Sequence, residues 1–266
     1  MWGERRPGIA MRSTSSSSGS KRFGARLLKW TGGLVLAFLL LTAVPVLLMR
    51  WWNPFSSAFM LEAGINAGRA PGEVRYESHY QWVDLEQISP HVALAVIASE
   101  DQTFPFHTGF DLKSIREAVR ENAHRKRPRG ASTISQQVAK NLFLWNGASY
   151  VRKGLEAWFT VLIETLWPKE RILEVYLNIA QFGRGVYGVE AAARRFFHKP
   201  AAQLTRAEAA TLAAVLPNPV RMHADRPSAY VYQRRDWIMG QMRGLGGREY
   251  LEEIAPRELE TPAPPK

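Results

Sequence analysis

Residues 89–101 read SPHVALAVIASED, and this stretch decides the fold class. Ser89 is an N-cap residue, and Pro90 follows at the first helical position, where its missing N–H costs nothing. The apolar run HVALAVIA then predicts a helix in a core. The helix closes on two adjacent acids, Glu100 and Asp101, although negative charge at a helix C-terminus opposes the helix dipole. Two readings are open for this pair: a solvated turn, or a carboxylate held as a general base where the helix leaves the core.

The helical text continues on the C-terminal side. Asp111 caps LKSIREAVRENAH, and Ser132 or Thr133 caps a third helix through Gln136–Leu142. A long helix over 151–166 places Leu155, Trp158, Phe159, Leu162 and Leu166 on its apolar side. Pro168 starts another, running through Tyr176. Thr205 and Glu208 form a capping box before a helix that ends near Pro217. No run of alternating strands, internal repeat or Gly-rich nucleotide fingerprint is evident. The expectation is a mainly α domain over 74–240, followed by a C-terminal tail, 241–266, that ends in the frayed TPAPPK.

The N-terminal side is different. Residues 1–29 carry seven basic side chains against Glu4, a net +6 of the chain's +11. They include a Ser/Gly-rich stretch, 13–20, expected to be disordered. Trp30 to Met49 is then uncharged, WTGGLVLAFLLLTAVPVLLM, long enough as a helix to cross about 30 Å of hydrocarbon. Trp30, Trp51 and Trp52 stand at its two ends as interfacial aromatics do. A cleaved signal peptide would have an apolar core of only about 7–15 residues and then a small-residue site; here Arg50-Trp-Trp follows. The expectation is a single transmembrane helix at 30–50, a basic cytoplasmic tail at 1–29 and a juxtamembrane segment at 51–73. Everything beyond it is extracytoplasmic. The basic excess is thereby an orientation signal, and nucleic acid is not expected as a partner. Contact with membrane lipid is expected, at the juxtamembrane segment and at the basic loop Arg125–Arg129.

Several chemistries are excluded. With no cysteine there is no disulfide framework, thiol nucleophile or Cys-based metal site. There is no GxxxxGK[ST] loop, GxSxG elbow or HExxH motif. The one SxxK match, Ser18 to Lys21, lies in the basic tail with no KTG after it, so no transpeptidase module is expected. His79, His91, His124, His198 and His223 lack ligand spacing and read as structural or surface residues.

What remains are polar clusters inside apolar helical text. The first runs from Glu100 through Asp101, Phe104 and His107 to Asp111. In the second, Thr133, Gln137 and Lys140 or Asn141 fall near one helix face at spacings of three and four, a row of hydrogen-bonding groups with one cation. Such a face suits an oxygen-rich anion such as a sugar phosphate, and it also reads as an ordinary polar face. In the third, Arg152 and Glu156 are an i, i+4 pair beside Lys153; in isolation such a pair is a surface contact. The fourth, Tyr176-Leu-Asn178 and then Gly183 to Phe197, is a glycine-punctuated turn into a helix and reads as architectural.

Taken in order, these clusters resemble the glycosyltransferase family 51 domain of peptidoglycan synthases. EDxxFxxHxGxD matches 100–111, GxSTIxQQxxKNLFL matches 130–144 and RKxxE matches 152–156. KxRILExYLN matches 169–178, and two further motifs match 183–196 and 208–219. The single anchor and missing transpeptidase module make it similar to the monofunctional members of that family. The resemblance implies a lysozyme-like, mainly α fold behind one transmembrane helix, in the bacterial inner membrane with its catalytic domain periplasmic. It also implies lipid II and the growing glycan strand as substrates.

By motif, the resemblance makes Glu100 the catalytic base and Glu156 the second essential carboxylate. Asp101, Phe104 and His107 shape the pocket, and Thr133, Gln137, Lys140, Asn141, Arg152 and Lys153 bind pyrophosphate and sugar oxygens. No cofactor is required. Glu156 either orients the cations or holds a divalent metal, Mg or Mn, against the pyrophosphate, and both readings stay open. Cell-wall or division proteins as partners leave no readable motif. Two other functions fit less well. A lysozyme-like hydrolase or lytic transglycosylase would leave Lys140, Arg152 and Lys153 unexplained. A noncatalytic membrane-tethered scaffold would leave the Glu100/Glu156 pair unexplained.

Overall fold

The structure is a computed structural model that describes residues 17–68, 77–122 and 130–254. Residues 1–16 of the basic tail, the basic loop at 125–129, His124 and the TPAPPK tail lie outside the described residues. The chain divides into two compact units at Pro45/Val46. The first is formed by α1 (Ser17–Leu48) as far as Pro45. Within α1, Leu28–Leu48 is long and apolar enough to cross a membrane, with a mean hydropathy of 2.3. The helix already includes Ser17–Ser20, so that end of the Ser/Gly stretch is helical where disorder was expected; the apolar run behind it propagates the helix.

The second unit holds the last residues of α1 and ten further α-helices among the described residues. α2 (Ala58–Gly68) is followed by α3 (Pro90–Glu100), α4 (Leu112–Asn122) and α5 (Ile134–Phe143). Next come α6 (Tyr150–Leu166), α7 (Lys169–Ile179) and α8 (Val189–Phe197). α9 (Arg206–Val215), α10 (Ala229–Gly244) and the short α11 (Glu249–Glu252) complete it. α3 is the core helix: every side chain from Val92 to Ala98 is buried, and α9 and α10 pack against it. α5 packs on α6 and α7.

Local chemistry sets the ends. Thr133 is the N-cap of α5, in a reciprocal capping box with Gln136, and Thr205 does the same with Glu208 for α9. Ser149 caps α6, and Pro168 is the N-cap of α7.

Three short strands, absent from the sequence expectation, form one sheet. β1 (His79–Tyr80) is parallel to β3 (Val186–Tyr187), and β3 is antiparallel to β2 (Gln181–Gly183). Strands of two or three residues are too short to show alternation. The expected domain boundary at 240 falls inside α10, and Ile254 belongs to the same hydrophobic core.

The N-terminal end of this unit is held by Arg171 on α7. Its guanidinium donates to the Met49 carbonyl (3.1 and 2.9 Å), the Trp52 carbonyl (2.9 Å) and Asn53 Oδ1 (2.8 Å), and pairs with Glu174. Trp167 Nε1 donates to the Val46 carbonyl at 2.7 Å. A buried arginine with all its donors spent in this way is structural.

Candidate active site

The site is organised by Asp101, at the point where α3 stops. Its backbone N–H still closes the helix onto Ile97, while its buried carboxylate accepts the Ile134 N–H at 3.0 Å, at the start of α5. The acid that opposes one helix dipole thus satisfies another, since a helix N-terminus favours negative charge. His107 Nε2 lies 2.9 and 3.0 Å from the two Asp101 oxygens. The Gly109 N–H donates to His107 Nδ1 (3.0 Å), so Nδ1 is the acceptor and Nε2 carries the proton shared with Asp101. Phe104 is fully buried beside this pair, with the Lys169 ammonium 4.6 Å from its ring centroid. Thr133 is also buried: its hydroxyl accepts the Gln136 N–H and donates to the Gly109 carbonyl at 2.7 Å. Gly109 has φ +90, and a Cβ there would stand 2.7 Å from Thr160 Cγ2, so only glycine fits this crossing.

Glu100 projects one residue earlier. Its Oε2 accepts the Gln137 amide at 2.9 Å, and the Tyr176 hydroxyl donates to Gln137 Oε1 at 3.2 Å. Tyr176 is fully buried. The amide orientation of Gln137 is therefore fixed at both ends. Burial raises the Glu100 pKa above the ordinary carboxylate range, and Asp101 adds to this; the Gln137 hydrogen bond, Arg234 and Lys140 act against it. Glu100 lines a cleft of about 410 Å³ together with Asp101, Thr133, Trp237 and Gln241. A carboxylate with raised basicity at a cleft wall is equipped to take a proton at neutral pH.

A second neighbourhood surrounds Glu156 on α6. This carboxylate is buried, with Arg152 Nη1 at 2.9 Å from Oε2 and Lys153 Nζ on Oε1. Arg152 is itself pinned to the Gly147 carbonyl at 2.7 Å. Lys140 sits between the two neighbourhoods. Burial lowers its pKa; Glu156 and Glu100 draw it up, while Arg152 and Lys153 push it down. Asn141, next to it, has a buried Oδ1 with no hydrogen-bond partner among the described residues.

The structure thus brings Glu100, Gln137, Lys140, Arg152, Lys153 and Glu156 into one electrostatic system. Asp101, Phe104, His107 and Thr133 stand behind it as a scaffold. α10 was not expected to contribute, yet it supplies Trp237 and Gln241 to the cleft and Arg234 near Glu100. No local motif marks them, because their role depends on packing against α3. Tyr176 stands in the 169–178 motif, but its hold on Gln137 is visible only in the fold. No group of three His, Asp or Glu side chains among the described residues is arranged to hold a metal, and both Glu156 oxygens are engaged by cations.

The family model described as Transglycosylase matches residues 67–243, two thirds of the chain, from the end of α2 through α3–α9 to all but the last residue of α10. The chain belongs to the transglycosylase family. Relatives called biosynthetic peptidoglycan transglycosylase include one from Shigella boydii serotype 4 (strain Sb227). It is 56% identical over 225 residues, covering 84% of this chain and 88% of the relative. One from Escherichia coli (strain SMS-3-5 / SECEC) has the same identity and coverage. One from Klebsiella oxytoca is 54% identical over 237 residues, 87% of this chain and 93% of its own length. Glu100, Lys140 and Glu156 all fall within the matched transglycosylase region, as does Arg234.

Proposed function

We propose that this protein polymerises lipid II into β-1,4-linked glycan strands with release of undecaprenyl pyrophosphate. It is a peptidoglycan glycosyltransferase of cell wall synthesis, as its family and relatives show. In the proposed reaction, the 4-hydroxyl of an acceptor GlcNAc attacks the anomeric carbon of the growing strand's MurNAc. The hydroxyl proton passes to Glu100 as the new C–O bond forms. The bond from that carbon to the pyrophosphate oxygen breaks, and the pyrophosphate leaves with the electron pair. Attack from the face opposite the leaving group converts an α linkage into a β linkage.

The observation that carries this reading is Glu100 itself: a carboxylate of raised basicity, aimed by Gln137, at the wall of a cleft. Lys140, Arg152 and Lys153 supply positive charge where the leaving pyrophosphate gains negative charge. Asn141 offers its free acceptor to a sugar N–H or hydroxyl. Asp101, Phe104, His107 and Thr133 keep the loop and the α5 start in place. We assign Glu156 to orienting Arg152 and Lys153, since both its oxygens are spent on them. Activity that follows Mg or Mn concentration in the wild type, and loses that dependence in Glu156→Gln, would reverse this assignment in favour of a metal at the pyrophosphate.

The helix at 28–48 is proposed to anchor the protein in the inner membrane, with the basic N-terminus cytoplasmic and the transglycosylase domain periplasmic. Both substrates carry lipid tails, so tethering raises their effective concentration at the site. Incubation of purified protein with labelled lipid II in detergent, followed by gel separation, is the direct test. Long glycan products from the wild type and none from Glu100→Gln are expected. Polymer from both at similar rates would end the proposal.

A further inference from the structure

The half-buried Arg234 on α10 differs from the buried Arg171. Arg171 spends its guanidinium on three carbonyl or amide oxygens and one carboxylate of its own surroundings. The Arg234 Nε is buried and has no hydrogen-bond partner among the described residues, and its Nη2 stands 3.9 Å from Glu100 Oε1, beyond hydrogen-bond reach. The two Glu100 oxygens are therefore unlike. Oε2 is tied to a neutral amide, whereas Oε1 accepts no such bond among the described residues and faces a cation. We infer that Arg234 is a positioning residue for the polymerisation: it holds Glu100 ionised between turnovers and leaves Oε1 as the oxygen that takes the acceptor proton.

The inference rests on the reading of Glu100 as the base. The charged and titratable groups facing Glu100 are its neighbour Asp101, Lys140 on α5, Tyr176 on α7 and Arg234 on α10. Asp101 and burial favour the protonated, inactive form; Lys140 and Arg234 favour the carboxylate. Lys140 also answers to Glu156, whereas Arg234 has Glu100 as its nearest carboxylate partner. Removing the Arg234 charge shifts the balance toward protonation, so the rate should fail at a higher pH as the solution is acidified.

The test is the pH dependence of lipid II polymerisation by the full chain in detergent, for wild type, Arg234→Gln and Arg234→Lys. Arg235→Gln serves as the control, since Arg235 pairs with Asp236 and stacks on Tyr232 instead. In Arg234→Gln the acid limb is expected to move to higher pH, lowering the rate at pH 6 about tenfold relative to pH 8. Arg234→Lys and Arg235→Gln should keep the wild-type limb. Arg234→Met, which fills similar volume without a polar head, serves if Arg234→Gln does not fold. An acid limb unmoved in the folded neutral variant overturns the inference. A Glu100→Gln enzyme that still polymerises overturns the underlying reading instead, so the two failures are separable.

Discussion

Glu100 and Glu156 are both largely buried carboxylates of one domain, and their surroundings are opposite. Glu156 meets a cation on each oxygen, Arg152 and Lys153, and so has no oxygen left for chemistry. Glu100 meets one neutral amide at 2.9 Å and one guanidinium at 3.9 Å, and it lines a cleft. Full pairing makes an acid structural and electrostatic; incomplete pairing keeps it basic. Lys140 feels both carboxylates and so links the two neighbourhoods electrostatically; in the proposed reaction the acceptor would lose its proton at the Glu100 end and the donor its pyrophosphate at the Glu156 end.

The contrast breaks most sharply at Glu100. Glu100→Gln keeps the shape and hydrogen bonding but removes the base, so the polymerisation rate should fall by about 10²–10⁴. Lipid II binding, measured by titration, should change little. Glu156→Gln should act differently, by leaving cations uncompensated. A thermal or denaturant unfolding measurement should show a loss of about 2–3 kcal/mol, below the roughly 3–5 kcal/mol of a wholly buried pair because Lys153 is half exposed. Polymerisation should fall with it. If Glu156→Gln were as stable as the wild type, the pairing described here would not be the reason for this carboxylate.

Lys140→Ala sharpens the link between the two. The contact to phosphate proposed for Lys140 would form before reaction begins, so the change should weaken lipid II binding by about 10–100-fold as well as slow turnover. A loss in rate with unchanged binding would place Lys140 at the transition state alone. Asp101→Asn is the smallest of the four: it keeps one acceptor for the Ile134 N–H but discharges the cap and the contact to His107. We expect a stability loss of about 1–2 kcal/mol by unfolding and a modest drop in rate.

The pH dependence follows from the same geometry. As the proposed base Glu100 would have to be ionised to act, and burial raises its pKa, so activity should decline on acidification earlier than for an ordinary carboxylate. The stability effect has the opposite sign. A carboxyl whose folded pKa is raised favours the fold while protonated, and that contribution fades as pH rises through the folded pKa.

How much of this could be read from the chain alone depends on the range of the interaction. The Ser89-Pro90 start of α3, the capping boxes at Thr133 and Thr205, and the Arg152–Glu156 spacing are local, and the structure contains each of them. The grouping of Gln137 and Lys140 follows from helical spacing on α5. The contact from Asp101 to Ile134 spans 33 residues, and the approach of Arg234 to Glu100 spans more than a hundred, so neither leaves a local trace. The Thr133 hydroxyl reads as a ligand-binding group in the sequence, yet it is consumed by its own cap and by Gly109. The sheet escapes because its strands are only two or three residues long.

The Gln137 amide has one more consequence, for observation of the enzyme at work. Tyr176 is sealed from solvent, and its hydroxyl reaches Glu100 through that single side chain. A change of charge at Glu100 must alter the polarisation of the amide, and with it the electron density on the phenol. Fluorotyrosine incorporated at 176 would therefore act as a spectator label whose NMR frequency follows the ionisation of Glu100, in a bilayer, without substrate and without touching a reacting atom.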